Sequence, residues 1–161
     1  MARRQNSLFR RRWRRFKSNR RGYYSLILFT LLFTLSLFAE VLSNSKPLLV
    51  RYDGKYYFPI FISYPETTFG GDFKTEANYQ DPYVLKKITK DGNFAIFPPN
   101  PHDYYSINMQ LNQPVPSPPS KQNFLGTDDQ GRDVLARLIY GFRISVLFGF
   151  ALTAVGTVLG I

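Results

Sequence analysis

The sequence predicts an α-helical membrane protein with a water-facing segment between two apolar runs. Residues 22–39 and 144–161 are each 18 positions without a charge. That is close to the roughly 20 apolar residues that cross a bilayer core as a helix. Ten of the 21 Lys and Arg residues fall within the first 21 positions, and no acid precedes Glu40. From residue 22 onward 11 bases meet 11 acids, so the net charge of +10 belongs to one tail and not to a basic fold. Cys is absent and His102 is the only His, which excludes disulfides, thiolate chemistry and any two-His metal motif. The 15 Phe and 11 Tyr suit a chain that meets lipid or packs dense sheets.

Residues 1–21 form the basic tail. Phe9, Trp13 and Phe16 are spaced i, i+4, i+7, which lines them along one helical face among arginines. This predicts a short amphipathic helix lying on the inner leaflet. Lys and Arg near a transmembrane end stay in the cytoplasm, so Arg10, Arg11, Arg12, Arg14, Arg15, Arg20 and Arg21 are the topogenic residues and the N-terminus is expected inside. The sharper alternative is an Arg-rich arm for nucleic acid. Two apolar runs have no use in a soluble binder of that kind, and no nucleic-acid partner is expected.

Residues 22–42 are the expected first transmembrane helix. Ser25, Thr30, Thr34 and Ser36 are its only small polar groups before Glu40, and each can bond back to the helix. A cleaved secretory signal is the competing reading; its apolar region would be shorter, and no small-x-small cleavage site follows.

Residues 43–124 carry eight bases and seven acids and are expected outside the membrane. Two β-hairpins are predicted there. One places Asp53-Gly54 between residues 48–52 and 55–58; the other places Asp91-Gly92 between residues 87–90 and 93–97. Asp-Gly tolerates the positive φ of a two-residue type I′ turn, and the flanks are β-branched or aromatic. PPNP and PVPSPP make residues 98–119 an extended, stiff connector. The aromatic residues of the segment read as a small core, and His102 beside Asp103 as a surface pair.

The stretch LGTDDQGRDVLARLIYGFRISVLFG decides between a reactive site and a membrane approach. Thr127 with Gln130 fits a capping box, and the acids sit where helix amides favour anions. Val134, Leu135, Leu138, Ile139 and Phe142 share one face, with Asp133 and Arg137 paired at i, i+4 on the other. The alternating oxygen ligands of a Ca²⁺ loop are missing, and so is a GxxxxGK[ST] phosphate loop. Residues 125–142 are therefore expected to form an amphipathic interfacial helix. Gly141 permits a bend, and residues 143–161 begin a second transmembrane helix, where Gly149, Gly156 and Gly160 allow close helix contacts.

The same stretch resembles the LGTDxxGRDxxxRxxxGxRxSLxxG signature of the second permease subunit of oligopeptide and dipeptide ABC importers. It is matched at Leu125, Gly126, Thr127, Asp128, Gly131, Arg132, Asp133, Arg137, Gly141, Arg143, Ser145 and Gly149, with Val146 in place of the usual Leu. KPLLVRYDGKYYFP, YQDP and SINMQLNQPVPSPPSKQNFLGTD are similar more narrowly to the permease of the microcin C-type peptide importer. The resemblance covers nearly the whole chain. It implies a multi-pass subunit of the bacterial inner membrane that pairs with a second permease. It further implies two cytoplasmic ATPase subunits that hydrolyse the ATP, and a periplasmic peptide-binding protein that delivers the peptide substrate. The chain is then the N-terminal part of such a permease: not an enzyme, without cofactor or metal, and with no catalytic residue. A membrane-anchored accessory protein presenting an extracytoplasmic interaction domain is the alternative.

Overall fold

The structure is a computed structural model that describes residues 2–160 apart from 91, 110 and 112, with side chains described from Leu8 onward. Asp91 of the second expected turn, the side chains of Arg3 and Arg4, and Ile161 lie outside the described residues. The chain divides into two units at Leu37 and Phe38.

The first unit is two helices, α1 (Ala2–Ser18) and α2 (Arg20–Leu37). Asn19 separates them, and its side-chain oxygen accepts from the Gly22 amide at 3.4 Å, so it caps the start of α2. On α1 the predicted stripe forms. Phe9 stacks on Trp13 with centroids 6.4 Å apart, Trp13 on Phe16 at 5.8 Å, and Phe16 meets Tyr23 edge-on at 6.5 Å. Helix α2 is apolar around its circumference: Leu26, Leu28, Phe29, Leu31, Leu32 and Leu35 are all exposed. A helix that is apolar on every side belongs in lipid or a large core. Its Ser36 hydroxyl donates back to the Phe33 carbonyl at 2.7 Å, which removes an unsatisfied donor.

The expected single span over 22–42 is interrupted. Phe38 leaves helical geometry at φ −98°, ψ 29°, and the chain resumes as α3 (Ala39–Leu42). Among the described residues one helix is by itself long and apolar enough to cross a membrane, and it is Val134–Leu159. Helix α2 has 18 residues, of which the first two are Arg20 and Arg21.

In the second unit, β1 (Leu49–Tyr52) and β2 (Lys55–Tyr57) pair antiparallel with Val50 opposite Tyr57. Asp53 and Gly54 both take positive φ, 50° and 74°, as the tight turn requires. A second hairpin does not form. Residues 82–89 are instead a helix, α4 (Pro82–Thr89), and β3 (Phe94–Ile96) pairs with β1, giving the sheet order β2-β1-β3. The reason is local: Asp81 caps the helix by accepting from the Tyr83 amide at 2.7 Å, and Pro82 holds the first helical position. Val84 and Ile88, four apart, then face inward. Asn93 ties the end of this excursion to the first turn, donating to the Lys87 carbonyl and accepting from the Asp53 amide.

Val50, Phe69, Ala77, Tyr79, Val84 and Ile88 form the core of this small layer of sheet and helix. Phe69 is its centre, with edge-on contacts to Tyr52, Tyr57, Tyr64 and Tyr79 at 5.4–6.3 Å.

Residues 98–133 contain no regular helix or strand among those described, only isolated bridges at Ser43–Asn100, Ile107–Arg132 and Thr127–Asp133. Then α5 (Val134–Leu159) runs for 26 residues without a break. The helix continues through Gly141, so the part of the expected interfacial helix from Val134 onward and the start of the expected second span are one element. Its length, about 39 Å at 1.5 Å per residue, exceeds the roughly 30 Å hydrocarbon core.

Candidate functional site: the turn that starts the long apolar helix

Helix α5 starts at Val134 and not at Thr127, because Asp133 is its cap. Asp133 is 1% exposed. One carboxylate oxygen accepts from the Ala136 amide at 2.7 Å and from the Asn100 side-chain amide at 2.9 Å. The other accepts from the Asn123 side-chain amide at 2.8 Å. A buried carboxylate is tolerated only with such partners. Asn100 donates a second time, to the Ser43 hydroxyl at 2.9 Å, and Ser43 donates to the His102 carbonyl at 2.7 Å. The Tyr140 hydroxyl, about two turns into α5, closes the ring by donating to the Ser43 carbonyl at 3.0 Å. Residues 43, 100, 123, 133 and 140 thus meet at one buried point.

The rest of the signature builds the turn that delivers Asp133. Gly126 has φ +76°, and a Cβ there would lie 2.3 Å from the Ser117 carbonyl oxygen, so the position accepts only glycine. The Thr127 hydroxyl, buried, accepts from the Ser117 amide at 3.0 Å and bonds its hydroxyl at 2.9 Å. Gly131, also at positive φ, presents its carbonyl to the Asn108 amide at 3.0 Å. Asp128 accepts from the amides of Gln130 and Arg132, both at 2.9 Å, from the Arg132 guanidinium at 2.9 Å, and from Arg137. Arg137 therefore pairs with Asp128, not with Asp133 as its i, i+4 spacing suggests, because Asp133 is turned inward to cap. Burial opposes ionisation of Asp128, but the two amides and two guanidinium groups outweigh it and hold the carboxyl down at about 2.

Arg143 reaches α3. Its guanidinium contacts both carboxylate oxygens of Glu40 at 2.9 Å and lies 5.1 Å from the Tyr140 ring centroid. Gly141 and Ser145 lie on exposed parts of α5, apart from the turn, with nothing within 4 Å of a Cβ built on Gly141. The arginines expected to be topogenic lie on α1 and at the head of α2, and none of them takes part in the four ion pairs found among the described residues. Sequence reasoning missed Ser43, Asn100, Asn123, Ser117 and Glu40; nothing local marks a buried Asn. It also misjudged His102 and Asp103. Asp103 is buried and accepts from Ser45, Tyr105 and Ser106, while the His102 ring meets the Gln122 carbonyl at 3.2 Å.

A cleft of about 470 Å³ opens between residues 45–46, 76–82 and 102–109. Lys46 and Glu76 pair on its wall, and that bond, with a second from Ser63, lowers the Glu76 carboxyl below its ordinary range. Among the described residues no group of His, Asp and Glu is placed to hold a metal. The acids of the signature all serve hydrogen bonds and ion pairs except Asp129, which is exposed. The arrangement positions a helix.

A family profile described as the N-terminal TM domain of oligopeptide transport permease C matches residues 7–67. An inner membrane ABC transporter permease protein, YejE, of Escherichia coli is 52% identical over 150 residues, covering 93% of this chain and 44% of that protein. A peptidoglycan transport system permease protein, also YejE, of Agrobacterium fabrum is 39% identical over 94% of this chain and 46% of its own length. An oligopeptide transport system permease protein, OppC, of Bacillus subtilis is 41% identical over 42% of this chain and 22% of its own. No solved structure matches the chain. The chain spans less than half the length of these curated relatives.

Two outcomes follow for the signature. Gly126→Ala meets both a carbonyl clash and an unfavourable φ and is expected to cost upward of about 2 kcal/mol, whereas Gly141→Ala, in an open helical position, gains about 0.5–1 kcal/mol. Thermal unfolding in detergent compares them, and equal effects would contradict the assigned geometry. Asp128 is depressed from 3.8 to about 2, so its stabilising contribution is complete above pH 4 and is lost as pH falls through 2. Asp128→Asn is expected to flatten that part of the stability–pH curve; an unchanged slope would remove Asp128 from the account. This turn, at the head of the long apolar helix, lies in a chain that is similar over 93% and 94% of its length to transport permease proteins.

Proposed function

We propose that the chain is the N-terminal part of the membrane-spanning subunit of a binding-protein-dependent ABC importer for peptides, oligopeptide or microcin C-like, in the bacterial inner membrane. The observation that carries this is the buried meeting of Asp133, Asn100, Asn123, Ser43 and Tyr140, which fastens a folded polar unit to the head of a helix long enough to cross a bilayer. In this reading residues 22–42, from the third residue of α2 to the end of α3, are the first span and α5 enters the second. The polar unit of residues 43–124 lies in the periplasm, and the basic tail lies in the cytoplasm with α1 on the inner interface. The Glu40–Arg143 pair then joins the outer ends of the two spans.

The signature residues hold structure and perform no chemistry. Hydrolysis of ATP falls to two separate cytoplasmic subunits, the second half of the pathway to another permease, and delivery of peptide to a periplasmic binding protein. The polar unit is the surface that such a protein would approach. Its cleft is rimmed by the exposed Ile107 and Met109.

Because the chain has no Cys, single introduced thiols report topology without background. Asp72→Cys is expected to react with a membrane-impermeant maleimide in spheroplasts, and Ser18→Cys only in inside-out vesicles. The reverse pattern would sink the orientation.

A further inference from the structure

Helix α1 carries more than a topological signal. At 100° per residue, Phe9, Trp13 and Phe16 fall within an arc of about 60°, and their rings stack into one ribbon. Phe9 is 69% exposed and Trp13 42%. Cations border the ribbon on both sides: Arg12 on one, Arg10 and Lys17 on the other. The Lys17 ammonium lies 5.8 Å from the Trp13 ring centroid and 5.8 Å from that of Tyr23, so it sits at the level of the ribbon and not on the far face. Arg11 and Arg14 lie opposite. Beside Arg12, a recess at the end of the helix is lined by Arg15, Phe16, Ser18 and Asn19. No acid occurs among the first 39 residues, so these cations have no local counter-charge.

An apolar ribbon with guanidinium and ammonium groups along its edges fits one kind of surface. Aromatic rings enter the acyl boundary, while long basic side chains rise to phosphate level and keep their heads in water. We propose that α1 is a docking surface for anionic phospholipid, with Phe9, Trp13 and Phe16 buried at the interface and Arg10, Arg12 and Lys17 holding headgroup phosphates along its flanks. This rests on the membrane placement proposed above. It adds the lipid class and makes the seating of the tail depend on lipid composition.

The sequence supplies its own probe, since Trp13 is the only Trp. The whole chain is reconstituted in phosphatidylcholine vesicles with increasing phosphatidylglycerol, and Trp13 emission and its quenching by brominated acyl chains are followed. The expected result is a blue shift and stronger quenching as phosphatidylglycerol rises, reversed by high salt. Arg12→Gln with Lys17→Gln is expected to weaken docking on the order of 10-fold or more, at about five-fold per cation near the surface. Arg11→Gln with Arg14→Gln is expected to weaken it less. Emission that is the same in both lipids overturns the proposal, as does equal weakening by the two pairs, which would show diffuse charge attraction without a flanked ribbon. A shift on adding RNA but not phosphatidylglycerol would overturn it in favour of a nucleic-acid arm. Co-flotation with pure phosphatidylcholine vesicles separately scores insertion: its failure removes the membrane placement, whereas insertion with an unresponsive Trp13 removes only the lipid docking.

Discussion

Three hydrogen-bond donors on one buried carboxylate govern the architecture of the second unit. Asp133 is 1% exposed and satisfied by Ala136, Asn100 and Asn123. An unpartnered buried donor or acceptor costs about 1–3 kcal/mol, and more when charged. The carboxylate therefore enforces the positions of two distant loops while it starts α5. The Pro-rich region, with no helix or strand among its described residues, acquires fixed geometry by bonding to this centre. The glycines at 126 and 131, with Thr127 and Asp128, shape the backbone so that Asp133 arrives facing inward. Asp128 binds both Arg132 and Arg137.

This gives the family signature a physical meaning. A long apolar helix has no internal reason to begin at one residue, since its hydrophobic pattern tolerates sliding. A buried cap fixes its first residue, and Tyr140 and Arg143 fix its rotation by reaching Ser43 and Glu40. At the other end of the chain, Arg and Lys with no acid among the first 39 residues surround the aromatic ribbon of α1.

Helix-level features were legible where their cause is local. The apolar run of α5, the Phe9–Trp13–Phe16 face and the Asp53-Gly54 turn all follow from spacing or from the φ that Asp-Gly permits. The fold of residues 80–97 was misread because Asp91-Gly92 outweighed a stronger local signal, Asp81 before Pro82, which starts α4. Thr127 with Gln130 mimicked a capping box, but Gly131 at φ +79° stops any helix there, and the cap falls to Asp133. The remaining partners, Asn100, Asn123 and Ser43, are joined to Asp133 only through tertiary folding, and a single sequence carries no pattern for such a meeting. The break at Phe38 has no Pro or Gly to announce it.

The central claim is that the Asp133 cluster is a structural clamp, and a double-mutant cycle tests it most directly. Asp133→Ala, Asn123→Ala and the double variant would be compared by unfolding free energy in detergent. The clamp predicts a coupling energy of about 1–3 kcal/mol, because each single substitution leaves a buried polar atom of the other side chain without this bond. Additive effects within about 0.5 kcal/mol would mean that the two side chains do not hold each other, and the signature would need another explanation.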